Sequence, residues 1–275
     1  MSDTNVKSLE EETSTVKVTS LYEGTFAVGK DKIFNPIGRN DNPPKGTLKL
    51  SINPFLIQNG NRNILFDAGL GDLFGGETTI ETILNNLDEE SISDYEITDI
   101  FISHLHFDHY GGLANRQNGY WELTFPEAKI WVSKGGWEKL YNNIDQENEE
   151  SRDFFHFLDM KADLEFLPDE SKPIPDVTVK KIGGHTEFHQ LLLYENGEDR
   201  YLMAGDVIGR RISINRSFAA KFDHDPKHSM KIREGLKKMA CDESFAILAY
   251  HETDQPLFCL ADCKNKKGYT IINLS

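Results

Sequence analysis

The run His104-Leu-His106-Phe-Asp108-His109 constrains this chain more than any other segment, because it packs potential metal ligands almost side by side. Directly upstream, Ile100-Phe101-Ile102 reads as a short buried strand, and a Tyr-Gly-Gly turn from Tyr110 to Gly112 follows. A strand that delivers imidazoles and a carboxylate into a loop builds a metal site on a rigid element. His104 and His106, two residues apart in an extended segment, point the same way. Asp108 and His109 lie past the strand end and can turn toward a second ion. Two ions held side by side, with water activation as their chemistry, are what this pattern suggests.

A chain of 275 residues accommodates a single large α/β domain or two modest ones. Its 38% hydrophobic content is lowish but adequate for a core at this length. The balance of 30 basic and 45 acidic residues gives a net charge of −15, which opposes nucleic acid and anionic membranes. No apolar run reaches the roughly 18 residues a spanning helix needs. Residues 1–15 are acidic and polar without an apolar stretch, so they read as a flexible arm and not as a signal peptide. Cys241, Cys259 and Cys263 make an odd count without a framework, which suits a reducing cytosol, and all three read as free, partly buried thiols. A cytoplasmic location is the expectation.

Val16 to Tyr22 suggests an edge strand. The stretch from Lys30 to Lys45, rich in Asn, Pro and Gly, reads as a loop with the length of a lid. Leu48 to Gln58 and Asn63 to Phe66 read as two strands around an Asn59-Gly60-Asn61 turn. After Asp67-Ala-Gly69 comes a glycine-rich loop and a helix from Glu77 to Leu87, with Ile80, Ile83, Leu84 and Leu87 on one face. Lys129 to Val132 is a strand, Gly136 to Tyr141 begins a helix, and the insertion from Asp145 to Asp159 forms another. Its stripe of Phe154, Phe155, Phe157 and Leu158 reads as core packing. Strands at Val177 to Ile182, Gln190 to Tyr194, Tyr201 to Ala204 and Phe245 to Ala249, with a helix from Lys227 to Met239, repeat the style of the first half. Grouped strands with interposed helices suggest two sheets covered by helices on their outer faces.

The further candidate ligands each follow an apolar strand: His185 after Val177 to Ile182, Asp206 after Tyr201 to Ala204, and His251 after Phe245 to Tyr250. A two-metal count then closes. His104, His106 and His185 hold one ion, Asp108, His109 and His251 the other, and Asp206 bridges them through its two oxygens. This is an open, catalytic arrangement.

With these elements in order, the chain closely resembles the metallo-β-lactamase superfamily of metal-dependent hydrolases. The resemblance rests on Asp67-Ala-Gly69, the cluster from His104 to His109, Gly184-His185-Thr186, Gly205-Asp206 and His251. It implies an α+β, four-layer αββα sandwich over residues 16–275: two mixed sheets with helices on the outer faces, in a single domain. Within the superfamily the chain looks most like the quorum-quenching lactonase and aryl-phosphotriesterase branch, through Asn53-Pro-Phe-Leu-Ile57, Ile64 to Asp72, Ser103 to His109 and Lys221 to Pro226. The family pattern also places Asp67 behind a ligand histidine, orienting it. His189 reads as a histidine beneath the ligands or in the core, and His156, His224 and His228 as surface residues. Gly111 and Gly112 serve backbone geometry.

Two departures matter. One lactonase group carries a tyrosine three residues after the bridging aspartate, where this chain has Gly209; Tyr22, Tyr110 or Tyr250 would have to substitute. Many relatives have Pro-Gly after the His-Thr pair, where this chain has Glu187-Phe188. Arg210, of the Arg210-Arg211 pair, together with Tyr22 and Tyr110, is a candidate substrate contact.

The resemblance implies a hydrolase using a hydroxide bridged between two divalent ions on a small-molecule lactone or related carboxylic ester, with Asp108 passing a proton to the leaving alkoxide. Zinc is the default metal, and iron, manganese or cobalt suit the same donors. A phosphotriester or phosphodiester hydrolase on the same site is the alternative. A mononuclear iron dioxygenase or a redox protein is less favoured, because diiron redox relatives carry glutamate where this chain has His106. Nucleic-acid and membrane partners are not expected, and a homodimer is left open.

Overall fold

The computed structural model describes residues 16–72, 80–116, 119–264 and 268–274. The acidic arm 1–15, the glycines at 75 and 76, and the start of the expected helix at 77–79 lie outside them.

Two large sheets dominate. The first has the spatial order Lys17–Ser20, Phe55–Asn59, Arg62–Phe66, Asp99–Phe101, Lys129–Ser133, Asp163–Leu167. Its first three strands pair antiparallel and the remainder parallel. The second runs Glu170–Ile174, Val177–Lys181, Gln190–Asn196, Asp199–Met203, Ala246–Leu248, Leu257–Ala261, Thr270–Asn273. It is antiparallel except where Asp199–Met203 meets Ala246–Leu248.

Alternation along the strands makes the layers. Phe55, Ile57, Ile64, Phe66 and Phe101 face inward and meet Val177, Val179, Leu192, Tyr194 and Met203 of the opposing sheet. Their chain neighbours Leu56, Leu65 and Ile100 face outward, against helices Ile80–Glu89 and Glu149–Lys161 through Ile83, Leu87, Phe154, Phe155 and Leu158. On the other side Leu191, Leu193 and Leu202 pack under helix Pro226–Asp242 through Leu236 and Ala240. This is the helix-sheet-sheet-helix sandwich expected, and the Phe154 to Leu158 stripe is core.

Topology delivers the candidate ligands to one edge. Arg62–Phe66 and Asp99–Phe101 run parallel, so Asp67 and the loop from Ser103 leave the first sheet at the same end. In the second sheet Val177–Lys181 and Asp199–Met203 each oppose Gln190–Asn196, and Ala246–Leu248 is parallel to Asp199–Met203. The segments leading to His185, Asp206 and His251 therefore exit in a common direction.

Several expectations need correction. Leu48 to Gln58 is not one strand. Asn53-Pro54 breaks it into Leu48–Ile52, which joins a small third sheet, and Phe55–Asn59, which joins the first sheet. The third sheet is completed by Gly24–Val28 and Phe34–Pro36, so the expected loop from Lys30 to Lys45 contains a paired strand. Arg39 anchors that segment by donating from Nε and Nη2 to the Thr253 carbonyl at 3.0 and 2.7 Å.

The thiols are the other correction. Cys241, in the last turn of helix Pro226–Asp242, is bonded to Cys263, just after strand Leu257–Ala261. Helix and strand stack in space, which brings together cysteines 22 residues apart. Only Cys259 is a free thiol, so cysteine usage no longer argues for a reducing compartment. Among the described residues no helix is long and apolar enough to cross a membrane.

A loop of this length predicts a stabilisation of about 3 kcal/mol from the cross-link. Titration of the unfolded, unreduced protein should find one thiol, and three after reduction. Cys263→Ser should lower the unfolding free energy by roughly that amount in urea melts. Three thiols without reduction would show that the bond does not form.

Candidate metal centre

Four of the candidate histidines are held by a partner behind them that leaves the other ring nitrogen facing the centre. His109 donates Nδ1–H to Asp67 Oδ2 at 2.6 Å, His185 to Asp223 Oδ1 at 2.8 Å, and His251 to the Ser51 carbonyl at 2.9 Å. Each therefore presents Nε2. His104 Nδ1 lies 3.1 Å from Ser103 Oγ, which itself donates to Asp67 Oδ2 at 2.7 Å. His106 faces the other way round: its Nδ1 lies 3.0 Å from His104 Nε2 and 3.1 Å from His185 Nε2.

The seven side chains form two groups: His104, His106, His185 and Asp206, then Asp108, His109 and His251. Asp206 spans both. Its Oδ2 is 3.1 Å from His185 Nε2, while its Oδ1 is 3.2 Å from His109 Nε2 and 2.9 Å from His251 Nε2. Asp108 Oδ2 stands 3.5 Å from His251 Nε2 and 3.7 Å from His109 Nε2.

The residues fit divalent cations. His109 Nε2, His251 Nε2 and Asp206 Oδ1 are buried and without a hydrogen-bond partner, although they converge. Buried polar atoms are seldom left so, and a shared cation satisfies all three at once.

The electrostatics agree. Burial pushes His104 and His106 well below the usual imidazole range, and the neighbouring imidazoles push the same way, so both are neutral donors. Burial also opposes charge on Asp206, but His251, His185 and His109 outweigh it and hold the carboxylate well below its ordinary value. For His109, burial is overcome by Asp108, Asp67 and Asp206, which draw its pKa up. The second group thus attracts positive charge most strongly.

Asp67 is fully buried and takes a left-handed backbone conformation (φ 59°). It accepts from the Ser103 N–H at 2.6 Å, from Ser103 Oγ and from His109. That conformation is uncommon outside glycine, and three accepted bonds hold it. His189 is buried with its ring 4.5 Å from that of His104, and its Nε2–H donates to the Ala204 carbonyl at 2.9 Å. It packs beneath the cluster and does not face it. His156, His224 and His228 are exposed. A Cβ on Gly111 or Gly112 would stand 2.2 Å from the Leu70 carbonyl oxygen or 2.0 Å from that of Ala68. Only glycine lets these backbones close up beside His109.

The supporting contacts of four residues are not legible in the sequence. Asp223 lies in the Lys221 to Pro226 stretch, but nothing local ties it to His185. Asn53 donates to the carbonyls of Tyr250 and Glu252 at 2.7 and 2.9 Å, gripping the backbone on both sides of His251. Tyr250 stacks on the His109 ring at 4.1 Å and donates its hydroxyl to the Asp108 carbonyl at 2.6 Å. Glu23 accepts the Leu70 and Gly71 N–H groups, one on each oxygen at 2.7 Å, closing the loop after Asp67. No spacing in the sequence signals these contacts, because each crosses between elements far apart in the chain.

Two cavities meet at the cluster, of about 540 and 410 Å³. Leu105, His106, Leu140, Glu147, His185 and Phe222 line both. Tyr110 and Arg210 line the larger; Tyr22 does not, and its hydroxyl is engaged with Thr25 Oγ1 at 2.7 Å. Glu187-Phe188 has a packing role. Phe188 fills the space beside Gly135, and Glu187 pairs with Lys139 at 2.7 Å, pinning the His185 loop to helix Lys134–Asn143.

Replacing Asp67 by asparagine should weaken metal affinity about 10- to 100-fold in chelator-competition titrations; unchanged affinity would show that Asp67 does not orient His109. Burial raises Glu23 to about 7 despite its two backbone hydrogen bonds. A raised carboxylate stabilises the fold below about pH 4.5, and that contribution is lost as pH climbs to about 7. The unfolding free energy of Glu23→Gln minus wild type should therefore rise across that window, by roughly 3 kcal/mol. A flat difference in urea melts would contradict the burial effect.

The sequence profile of the Metallo-beta-lactamase superfamily matches residues 48–251, and no curated protein matches the chain. Among solved structures, a probable metal-dependent hydrolase from Staphylococcus aureus superposes with a TM-score of 0.75 at 20% identity, covering 96% of this chain and 99% of that one. The dizinc quorum-quenching lactonase AidC, in complex with an acyl-homoserine product, gives 0.74 at 22% identity and 96% of each chain. The hydrolase AbOPH gives 0.72 at 22% and 94% of each. At these identities the likeness is one of fold. With its profile match spanning every candidate ligand, the chain belongs to the metallo-beta-lactamase superfamily.

Proposed function

We propose that this protein is a dinuclear metal hydrolase acting on a lactone or related carboxylic ester. The observation that carries the reading is Asp206, whose two oxygens face two different ligand groups while neighbouring imidazole nitrogens lack partners. His104, His106 and His185 would hold one divalent ion and Asp108, His109 and His251 the other, zinc being the first choice for such donors. Bound there, two such ions supply a Lewis acid for the scissile carbonyl and water acidic enough to attack it near neutral pH.

The side chains divide the remaining work. Asp206 keeps the two positions adjacent. Asp108 lines the larger cavity, where its carboxylate can carry a proton to the leaving alkoxide. Tyr110 lines the same cavity, and burial raises its pKa, so it stays a neutral phenol able to donate to a substrate oxygen. It takes the part left open by Gly209, since Tyr22 and Tyr250 are committed elsewhere. Val28, Phe34, Leu50, Phe107 and Phe218 add an apolar wall suited to an acyl or aryl body. Arg210 on that wall supports phosphoester hydrolysis as the second reading.

The test is a hydrolysis screen of zinc-loaded protein across acyl-homoserine lactones, aryl esters and phosphotriesters, alongside metal analysis. We expect two ions per chain, ester or lactone turnover, and its loss on chelation. Alanine at Asp108 or Asp206 should reduce turnover by about 10²-fold or more, and phenylalanine at Tyr110 by a smaller factor. Near-normal rates with either aspartate replaced would sink the scheme.

A further inference from the structure

We propose that Lys32 and Arg210 form an anion-recognition pair for a carboxylate that the substrate carries away from its scissile bond. The preferred substrates are then anionic esters or lactones with an apolar body. The proposal rests on the ester reading above and narrows its substrate class.

Cations on the third-sheet segment, next to Arg210 in the chain and on the cavity lining itself are already engaged. Arg39 is bound to the Thr253 carbonyl and Lys49 to that of Arg39. Arg211 reaches the Gln255 carbonyl and lies over the Phe258 ring. Arg233 is buried, donating to the carbonyls of Val207 and Phe218 at 2.7 and 3.0 Å. Lys32 and Arg210 differ: both line the cavity, and among the described residues neither side chain has a hydrogen-bond or ion-pair partner.

The acids in the cavity do not answer them. Asp108 and Asp206 face the histidine cluster and Asp223 holds His185. Glu147 lines both cavities, on the segment leading into helix Glu149–Lys161, and pairs with neither cation. In a chain of net charge −15, two unengaged cations lining one cavity run against the average.

Their placement is built into the fold. Lys32 ends the turn between strands Gly24–Val28 and Phe34–Pro36, with a left-handed φ of 60° that few non-glycine residues adopt. Arg210 follows the turn that carries Asp206. The apolar side chains Val28, Phe34 and Leu48 line the same cavity, and low polarity strengthens a charge-assisted bond to a carboxylate.

The experiment compares phenyl hexanoate with the monophenyl ester of adipic acid, equal in length and leaving group, using zinc-loaded full-length protein. The non-hydrolysable pair hexananilide and adipic acid monoanilide is followed by calorimetry. Wild type should favour the anionic ester in kcat/KM by about tenfold or more, and bind the anionic anilide tighter by a similar factor. Both preferences should fall toward one in Lys32→Ala/Arg210→Ala and weaken as salt rises. Melting curves report that the variant folds.

Equal treatment of the two esters by wild type, or a preference that survives the double variant, overturns the proposal; survival would place the carboxylate on the metals. If no ester is cleaved but the monoanilide preference is present and lost in the variant, the ester reading fails and anion recognition stands. Equal or absent binding of the anilides overturns it. Bis(4-nitrophenyl) phosphate turnover that alone drops in the variant would assign the cations to a phosphoester and overturn it too.

Discussion

Asp206 is the point on which the site depends. Its carboxylate is buried beside the Nε2 atoms of His109, His185 and His251, whose Nδ1 groups are engaged with Asp67, Asp223 and the Ser51 carbonyl. A buried anion is costly alone and stable only beside positive charge, on these imidazoles or on a bound cation. The layer behind the candidate ligands fixes which nitrogen faces the carboxylate. Tyr250, Asn53 and Glu23 hold the backbones that carry them, so the site is a property of the sandwich edge and not of one loop.

The fold supplies that edge through strand direction. Each candidate ligand segment follows a strand, and pairing sends those strands out at the same end. The third sheet, absent from the sequence reading, then walls the larger cavity with Val28, Phe34, Leu48 and Leu50. The segment expected to be a lid is partly a strand, and it contributes Lys32.

Legibility differed by the range of the interaction. The alternation of Phe55, Leu56 and Ile57, or of Leu191, Leu192 and Leu193, is local and announces two-faced strands, so the layers were readable. The strands Leu257–Ala261 and Thr270–Asn273 are short and carry no strict apolar–polar alternation, so local periodicity does not announce them. Leu48 to Gln58 misled because its hydrophobic pattern continues through Asn53-Pro54, where the chain changes sheets. The disulfide was missed because it joins a helix end to a strand that only tertiary packing brings alongside.

By itself the sequence determined the candidate ligand set: the spacing from His104 to His109 and the positions of His185, Asp206 and His251 at strand ends. Ligand chemistry and strand periodicity are written in residue type and local order. Tertiary structure decided which nitrogen each histidine presents, which oxygen of Asp206 faces which group, and which charges remain unengaged around the cavity. Those outcomes turn on contacts between residues as distant as Asp67 and His109, or Asn53 and Tyr250, and no local pattern encodes a distance across the fold.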